Sequence, residues 1–419
     1  MNNHSHIKEC PITGDSNPVK YFDLGNIPLV NNLCSTKEES LSAERFKLNI
    51  NYYNESGLSS LDFAVDSELL FSHYLFKSGV NIPYYKHCKA MFTFIEDYIN
   101  IDDNISIADI GGNDGTLLEA FRSQTDKNLD LVNIDPSKNL TKISIEKGIP
   151  VINNFFTYDL AKSIGKKFSI ITSTNVFQHL KDINSFTKGI ECMLEDDGVW
   201  ILEFPYWIHD MKTNQFDQIY HEHMYYHSIK PMNLIMKKHG LQIINISKQN
   251  IHGGTLRLTI CKKDSKHKED FTVECFSKFE ENYGLQYHID WGIDIKEKID
   301  SSKRFIKNLK ESGKKIYGFG AAAKGCIYLN AMGLDYNDID YIIDDTDIKQ
   351  GKFFPGTGIQ IVGRDILKDD KPDYILILAH NFSEYIISSL SDYDGEFIIL
   401  VPTPTIIKNK RSLSGTLLQ

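Results

Sequence analysis

Paired cysteines are absent from the sequence. Its 419 residues include 7 cysteines, at Cys10, Cys34, Cys88, Cys192, Cys261, Cys275 and Cys326. An odd number of cysteines without paired spacing excludes the disulfide framework of small secreted domains. This cysteine usage fits a reducing compartment, so we predict a cytoplasmic location.

The sequence also lacks long apolar runs and an excess of positive charge. No stretch of about 18 apolar residues occurs, and the first ten residues, MNNHSHIKEC, contain no apolar segment. The formal net charge is −10, which disfavours binding of a polyanion over a broad surface. We therefore expect neither a membrane nor a nucleic acid as a partner, and we expect a monomer or a weak homo-oligomer.

The remaining composition is that of a globular protein. Hydrophobic residues make up 41% and charged residues 24% of the chain, as in ordinary soluble domains. The chain is longer than the roughly 250–300 residues beyond which a single hydrophobic core stops growing. Two or three domains are therefore expected.

Apolar segments alternate with helical segments in two parts of the chain. In the first part the predicted strands are SIADI, LDLVNID, FSIITSTNVFQHL and GVWILEFPYW, and in the second part they are KIYGFG, IDYIIDD and PDYILILA. This alternation predicts α/β domains with parallel, doubly wound sheets. A short irregular stretch precedes the first part, and the polar stretch 263–283 precedes the second. We predict three segments, 1–66, 67–284 and 285–419.

A glycine-rich turn follows the first predicted strand. Gly111 and Gly115 let the backbone approach a ligand closely, and the helix that starts after Gly115 offers unpaired N–H groups. Asp135 ends the next strand, where a carboxylate accepts both ribose hydroxyls of a nucleoside. Asn113 and Asp114 lie inside the turn, and the acidic side chain of Asp114 disfavours a pyrophosphate but suits the cationic end of S-adenosylmethionine. A tight turn without a ligand is the alternative.

The stretch QIYHEHMYYHSI, at 218–229, concentrates ionisable side chains. His221 and His223 flank Glu222, and Tyr220 precedes them. Zinc sites of the H-E-x-x-H type need histidines at i and i+4 on a helix, and H-E-H lacks that spacing. The alternatives are a hydrogen-bonded structural loop and an acid–base cluster.

A second glycine turn, YGFGAAAKG at 317–325, has the spacing of a dinucleotide-binding motif. Gly318, Gly320 and Ala323 fit G-x-G-x-x-A, and an acidic pair at 344–345 follows near a strand end. The turn is open to three interpretations. It binds a nicotinamide dinucleotide, it holds a substrate pyrophosphate with Lys324 as the counter-charge, or it serves packing alone.

Motifs along nearly the whole chain, from about Leu24 to Pro402, resemble those of the sugar C-methyltransferase family. They are DIGGNDGTLL, NIDPSKN, NVFQHLKD, YHEHMYYHS, HGGTLRL, YGFGAAAKG, DDTDIKQGKFFPGTGIQI and PDYILILAHNF, in the family's order. The resemblance implies a small N-terminal module, a central class I methyltransferase Rossmann-like domain and a second, C-terminal Rossmann-like α/β domain. It also implies S-adenosylmethionine as cofactor, a nucleotide-linked keto-deoxysugar as substrate and methyl transfer to carbon.

The resemblance also implies roles for individual residues. In the cofactor pocket it places Gly111, Asp135, Asn175 and, near the methyl group, Tyr74. On the substrate side it places Asn175 and His179.

For the histidine-rich stretch the resemblance favours acid–base chemistry. A proton on the carbon beside a keto group must leave before that carbon attacks a methyl sulfonium, and a neutral imidazole is a suitable base. By the resemblance His223 is this base, and Glu222 and Tyr220 lie beside the sugar.

The N-terminal module departs from the family pattern. Its relatives bind zinc through two C-x-x-C pairs, but here Cys10 is followed by Thr13, and Tyr53 and Ser56 occupy the second pair. Cys10 alone provides one thiolate, and Cys34 would provide a second. Two ligands are too few for a tetrahedral zinc site. We therefore expect no metal.

Other functions remain open at the level of sequence. O- or N-methylation needs the same scaffold, and a non-catalytic S-adenosylmethionine-binding homologue needs only the cofactor turn. The third alternative is a dehydrogenase that uses the turn from Gly318 to Ala323.

Overall fold

The structure is a computed structural model, and it describes residues 5–66, 70, 82–401 and 403–408. The chain divides into two compact units, and neither is continuous in sequence. The first unit comprises Met1–Val19, Asn51–Ile208 and Glu222–Tyr287, and the second comprises Lys20–Ile50, His209–His221 and His288–Gln419. The three-segment division stays a prediction.

The strands of the described residues are β1 (Ser5–His6), β2 (Val19–Pro28), β3 (Arg45–Tyr52), β4 (Ser59–Leu61), β5 (Phe63–Ala64), β6 (Ser106–Ile110), β7 (Asp130–Ile134), β8 (Val151–Ile152), β9 (Phe168–Thr174), β10 (Leu194–Pro205), β11 (Tyr225–Tyr226), β12 (Leu241–Gln249), β13 (Thr255–Lys262), β14 (Ile316–Phe319), β15 (Tyr341–Ile343), β16 (Gln360–Val362), β17 (Tyr374–Ile377), β18 (Glu396–Ile399) and β19 (Thr405–Lys408).

The helices of the same ranges are α1 (Lys37–Leu41), α2 (Ile82–Ile95), α3 (Thr116–Arg122), α4 (Lys138–Glu146), α5 (Tyr158–Ile164), α6 (Ile183–Met193), α7 (Trp207–Lys212), α8 (Ile229–Lys238), α9 (Phe271–Glu280), α10 (Leu285–Glu311), α11 (Ala323–Met332), α12 (Ile366–Asp369) and α13 (Ser383–Ser389). Short 3₁₀ turns include Phe177–His179 and Phe216–Gln218. Among the helices described, none is long and apolar enough to span a membrane.

A seven-stranded sheet forms the centre of the first unit. Its strand order is β12-β13-β10-β9-β6-β7-β8, and the strands from β10 to β8 pair in parallel. The hairpin of β12 and β13 is antiparallel and extends the sheet at the β10 edge. The predicted doubly wound α/β fold is confirmed.

The core of the first unit lies where α2 and α3 cover one face of this sheet. Apolar side chains recur on both helices at the spacing of a helical face, and they pack on the buried strands. The buried residues of this cluster include Cys88, Met91, Phe92, Ile95, Leu117, Leu118, Phe121, Ile107 and Ile170. The glycine turn connects β6 to α3, two of the elements that contribute to this core.

The polar region predicted as a boundary, 263–283, is partly helical. Asp270 caps α9 by accepting the Thr272 N–H at 2.8 Å. The Asn245 side-chain amide donates to the same carboxylate at 2.6 Å, so α9 belongs to the first unit. The chain passes from the first unit into the last segment of the second unit within α10, at His288.

The second unit contains a six-stranded sheet of order β16-β15-β14-β17-β18-β19. All neighbours pair in parallel except β18 and β19. The chain leaves β14 towards β15 and β16 on one side and returns to β17 on the other. The switch point of the topology therefore lies between β14 and β17, beside the second glycine turn.

Candidate active site

The glycine turn after β6 has a backbone that only glycine tolerates at two positions. Gly111 has φ +72, and a Cβ there would lie 2.3 Å from Val176 Cγ2. Gly115 has φ +75, and a Cβ there would lie 2.6 Å from Ser144 Oγ. Both the positive φ and the crowding exclude larger residues, so the turn is built for close packing and close approach.

Asp135 lies directly after β7 and bonds back to the turn. Its Oδ2 accepts the Asn113 N–H at 2.9 Å, and its Oδ1 accepts the Ser137 N–H at 2.8 Å. Burial raises the pKa of Asp135 above its ordinary value, although these backbone hydrogen bonds oppose the rise. A carboxylate held beside a glycine turn at a strand end fits the ribose hydroxyls of S-adenosylmethionine.

Asp114 is engaged by the first turn of α3. Its Oδ1 accepts the Thr116 hydroxyl at 2.6 Å and the Thr116 N–H at 3.3 Å. Its Oδ2 lies 4.0 Å from Lys147 Nζ. Through these contacts Asp114 stabilises the start of the helix. This is in addition to its predicted role of facing the cationic end of the cofactor.

Asp109 is a site candidate that the sequence analysis missed. It is 2% exposed in β6, and the Thr172 hydroxyl donates to its Oδ1 at 2.8 Å. Its Oδ2 faces the turn, 2.6 Å from the place of a Cβ at Gly112. Burial raises the pKa of Asp109 to about 7, and the nearby charge of Asp135 adds to the rise. The available signal was a carboxylate inside the apolar strand SIADI, directly before the glycines.

Asn175 follows β9 in a left-handed conformation. Its φ is +55, which asparagine adopts more readily than most residues. Its N–H donates to the backbone oxygen of Glu203 at 2.9 Å. The bond fixes the strand end at which the sequence analysis placed cofactor and substrate contacts.

Beneath Asn175 lies a buried ion cluster that the sequence analysis also missed. The Glu203 side chain is 1% exposed and binds Arg257 Nε at 2.7 Å and His87 Nε2 at 2.8 Å. Burial opposes ionisation, but His87 and Arg257 outweigh it and hold the pKa of Glu203 below its ordinary value. The cluster fastens α2 and β13 to the end of β10. The three residues lie far apart in sequence, so no local motif marks them.

The structure brings His179, Glu222 and His223 together. His179 Nδ1 lies 2.7 Å from the backbone oxygen of Glu222, and the His179 and His223 ring centroids are 4.9 Å apart. Glu222 and His223 are 3% and 4% exposed. Burial lowers the pKa of His179 to about 4, so this ring is neutral near pH 7.

A turn at His221–Glu222 divides the histidine-rich stretch. His221 belongs to the second unit, where its Nε2 lies 3.2 Å from the Phe46 backbone oxygen. Burial lowers the pKa of His221 to about 4. Tyr220 also lies in the second unit, and Tyr74 lies outside the described residues.

Lys324 lies in the first turn of α11, within the second unit. Its charge acts on the pKa values of Asp210 and His380. Burial raises the pKa of Asp210 well above its ordinary range, and the charge of Lys324 opposes this rise. Burial lowers the pKa of His380, and the charge of Lys324 adds to this change. Another cation, Lys349, lies 3.2 Å from Asp344 Oδ2. Asp344 also accepts the Ala321 N–H at 2.8 Å. This backbone N–H of the second glycine turn is therefore already hydrogen-bonded to a carboxylate.

The N-terminal module brings together two of the positions at which the resembled family has zinc-binding cysteines. Cys10 Sγ and Ser56 Oγ are 3.2 Å apart and buried, and Tyr53 is fully buried. One thiol, one hydroxyl and one phenol do not form a tetrahedral zinc site. In the described parts of the chain no group of three His, Cys, Asp or Glu residues is placed to hold a metal ion.

Two family models match consecutive parts of the chain. Residues 85–246 match the model described as a methyltransferase domain, and residues 250–402 match the model described as a C-methyltransferase C-terminal domain. The first range contains the glycine turn, Asp135 and the His179–His223 pair. The second range contains the second glycine turn.

A relative matches nearly the full length of the chain. C-methyltransferase NovU of Streptomyces niveus is 26% identical over 416 residues, which are 97% of this chain and 98% of the relative. Among solved structures, magnesium protoporphyrin IX methyltransferase of Synechocystis PCC 6803 with bound S-adenosylmethionine is 12% identical, with 44% of this chain and 81% of that chain covered at a TM-score of 0.34. An S-adenosylmethionine-dependent methyltransferase of Clostridium acetobutylicum ATCC 824 is 11% identical, with 42% and 92% covered at a TM-score of 0.34.

The family models and the full-length relative agree with the cofactor turn and with the predicted resemblance. The chain is an S-adenosylmethionine-dependent methyltransferase with S-adenosylmethionine as its cofactor, and it is similar to a C-methyltransferase over nearly its whole length.

Proposed function

We propose that the enzyme methylates a carbon beside the keto group of a nucleotide-linked deoxysugar. The observation that carries the proposal is the buried pair of imidazoles, His179 and His223, held 4.9 Å apart beside Glu222. Transfer to carbon needs a base because a C–H bond, even beside a ketone, does not attack a sulfonium unaided. The motifs that resemble sugar C-methyltransferases support the choice of a keto sugar.

His223 is the proposed general base. It takes the proton from the carbon beside the keto group, and the electron pair moves onto the carbonyl oxygen to form an enolate. The enolate carbon then forms the new C–C bond. When bound, S-adenosylmethionine supplies the electrophilic methyl group and leaves as the neutral thioether. His179 is less suited to be the base because its pKa of about 4 makes it weakly basic.

The residues around the base are assigned to the sugar. Glu222 precedes His223 and is buried, and we assign its carboxylate to hold the sugar or the second nitrogen of the base. Tyr220 is assigned to the enolate oxygen, where a hydroxyl donor stabilises developing negative charge. Asn175 and His179 are assigned to the substrate side. Lys324 is the proposed counter-charge for the nucleotide's pyrophosphate.

The cofactor contacts are assigned to the turn and to the strand ends. Asp135 is proposed to accept the ribose hydroxyls. Backbone groups of Gly111, Asn113 and Gly115 line the approach to the methionine part, and Asp114, Asn175 and Tyr74 complete the set. We add Asp109, because its buried carboxylate faces the turn and suits the cationic ammonium group.

The proposed organisation is a small N-terminal module at 1–66, a cofactor-binding domain at 67–284 and a C-terminal domain at 285–419 that contributes to the substrate cleft. Each of the two glycine turns opens its own α/β sheet, which supports two Rossmann-like domains.

The test is incubation with S-adenosylmethionine and a panel of 4-keto sugar nucleotides that differ in base and deoxygenation. We expect one sugar nucleotide to gain the mass of a single methylene group. Proton–carbon NMR of the product should place the methyl group on a ring carbon. A methyl group on oxygen or nitrogen would reject the carbon mechanism, and a panel without any product would reject the substrate class. Omitting S-adenosylmethionine is the matched control.

A further inference from the structure

Two hydrogen bonds to backbone groups hold the chain on either side of His223. The backbone oxygen of Glu222 accepts from His179 Nδ1 at 2.7 Å, and the N–H of Met224 donates to the backbone oxygen of Gln178 at 2.8 Å. Both partners belong to the 3₁₀ turn Phe177–His179. His223 is therefore the central residue of a three-residue segment whose neighbours are both bonded to one turn.

The first of these bonds fixes the tautomer of His179. A carbonyl oxygen only accepts, so His179 Nδ1 must carry the hydrogen. Nε2 is then the unprotonated nitrogen, 3.4 Å from the side-chain nitrogen of Gln178. Burial lowers the pKa of His179 to about 4, so the ring keeps this neutral form from mildly acidic to alkaline pH.

A neutral His179 suits the neighbouring base. When His223 takes a proton it becomes a cation, and a second cation 4.9 Å away would oppose that step. A ring that is neutral near pH 7 removes this repulsion. The same low basicity makes His179 a poor proton acceptor near pH 7. Its Nδ1–H donates to the Glu222 backbone oxygen. This hydrogen bond, and not proton transfer, is therefore the interaction by which His179 acts.

The turn that carries His179 is itself packed on the cofactor turn. Val176 Cγ2 would lie 2.3 Å from a Cβ at Gly111, so the valine methyl group sits directly on that glycine. The His179 N–H donates to the Val176 oxygen at 2.9 Å. A short chain of contacts therefore runs from Gly111 through Val176 and His179 to Glu222, next to His223.

We propose that His179 is a positioning residue, whose Nδ1–H bond to the Glu222 carbonyl fixes the His223 ring relative to the cofactor turn. The proposal rests on the proposed function, in which His223 is the base. It assigns His179 no proton transfer, and it adds to the proposed place of His179 on the substrate side a role that does not depend on Nε2. A misplacement of about 1 Å at a catalytic group is enough to cost about 10²-fold in rate.

Three substitutions of His179 separate these roles. The amide nitrogen of asparagine lies as many bonds from Cα as Nδ1, whereas that of glutamine reaches the place of Nε2. We expect His179→Asn to keep the bond to Glu222 and to stay within about tenfold of wild-type kcat. His179→Gln and His179→Ala should each lose about 10²-fold in kcat. KM and Kd for S-adenosylmethionine should stay near the wild-type values in all three.

The opposite order would overturn the proposal. If His179→Gln is active and His179→Asn is not, Nε2 contacts the substrate and the Glu222 bond is incidental. If all three variants lose proton exchange at the sugar carbon completely, His179 is the base. If His179→Ala turns over normally, the bond is dispensable.

His227 provides the matched control, because it is a buried histidine of the same unit, 1% exposed and packed against Phe177 and Phe204. His227→Asn and His227→Gln should both lower Tm, and the two variants should have similar kcat values.

A readout without turnover distinguishes failure of this proposal from failure of the proposed function. In ¹⁵N-labelled protein the His223 ring resonances should shift in His179→Gln and His179→Ala and stay near the wild-type positions in His179→Asn. This pattern without methylation of any keto sugar would support the positioning role and reject the function. Unchanged His223 resonances in every variant would reject the positioning role whatever the activity.

Discussion

The Asp135 carboxylate accepts the backbone N–H of Asn113 at 2.9 Å. The side chain proposed to bind the cofactor ribose therefore also holds the turn that approaches the cofactor. A second backbone donor, the Ser137 N–H, occupies its other oxygen at 2.8 Å. One carboxylate thus joins the ends of β6 and β7, and its loss has two separable effects.

Replacing Asp135 should weaken cofactor binding. Asp135→Ala removes charge-assisted bonds to the ribose and the support of the turn, so we expect a loss of about 1.5–3 kcal/mol in binding of S-adenosylmethionine. Isothermal titration calorimetry measures it. Asp135→Asn keeps an acceptor for the Asn113 N–H and should bind with intermediate affinity. The exposed Asp103 provides the control variant Asp103→Ala, and equal affinities for Asp103→Ala and Asp135→Ala would reject the assignment.

Asp109 should make the cofactor-free protein less stable as the pH rises. Burial raises its pKa from 3.8 to about 7, so the folded state holds the proton more tightly than the unfolded state. Stability from this group therefore falls between about pH 4 and pH 7 and stays low above that range. Asp109→Asn removes the ionisation and should raise the free energy of unfolding at pH 8 by about 1–4 kcal/mol.

The measurement is urea unfolding of wild type and Asp109→Asn at pH 5 and pH 8. The gain from the substitution should be larger at pH 8. A gain of equal size at both pH values would show that Asp109 ionises normally.

Gly111 should tolerate alanine less well than a glycine with similar φ in open space. Gly14 has φ +79 and nothing within 4 Å of its Cβ position, whereas Gly111 has φ +72 and meets Val176 at 2.3 Å. Gly14→Ala should therefore cost only the backbone strain, about 1 kcal/mol, and Gly111→Ala should cost about 1–3 kcal/mol more. Thermal unfolding compares the two, and equal costs would contradict the close packing of Val176.

The N-terminal module should contain no stoichiometric zinc. Thr13, Tyr53 and Ser56 stand where the resembled family has cysteines, and the Cys10 thiol is paired with the Ser56 hydroxyl at 3.2 Å. Elemental analysis of tag-free protein measures the metal content. Near-stoichiometric zinc would refute the prediction. The double variant Thr13→Cys/Ser56→Cys offers a comparison in which zinc affinity should rise.

Local patterns in the sequence predicted the strands and the glycine turn of the first α/β sheet. Gly111, Gly115 and Asp135 follow from chain-local rules, because a strand, a glycine turn and the next strand end are adjacent in any doubly wound sheet. The strands β6, β7 and β9 lie within the predicted segments, since each is short and mostly apolar, but β9 ends at Thr174 and the predicted strand end NVFQHL contains a 3₁₀ turn. Asp109 also stands out in the sequence, as a carboxylate inside an apolar strand. A single carboxylate does not predict a site, however, because no partner residue lies at a fixed spacing from it.

The remaining features depend on contacts that no local pattern encodes. His87, Glu203 and Arg257 are brought together by the pairing of β10 with β13 and by the packing of α2. The bond from His179 to the Glu222 carbonyl involves a backbone atom, which every residue has, so residue types do not predict it. The division of the histidine-rich stretch between two units likewise involves a contact outside the stretch, from His221 Nε2 to the Phe46 backbone oxygen.

The most direct test of the account is proton exchange at the sugar carbon, catalysed by His223 without methyl transfer. With S-adenosylhomocysteine in place of the methyl donor, wild-type enzyme in D₂O should exchange the proton beside the keto group of its sugar nucleotide. His223→Ala should bind the cofactor normally and exchange about 10²–10⁴-fold more slowly. If His223→Ala exchanges and methylates at nearly the wild-type rate, His223 is not the base and the central claim is wrong.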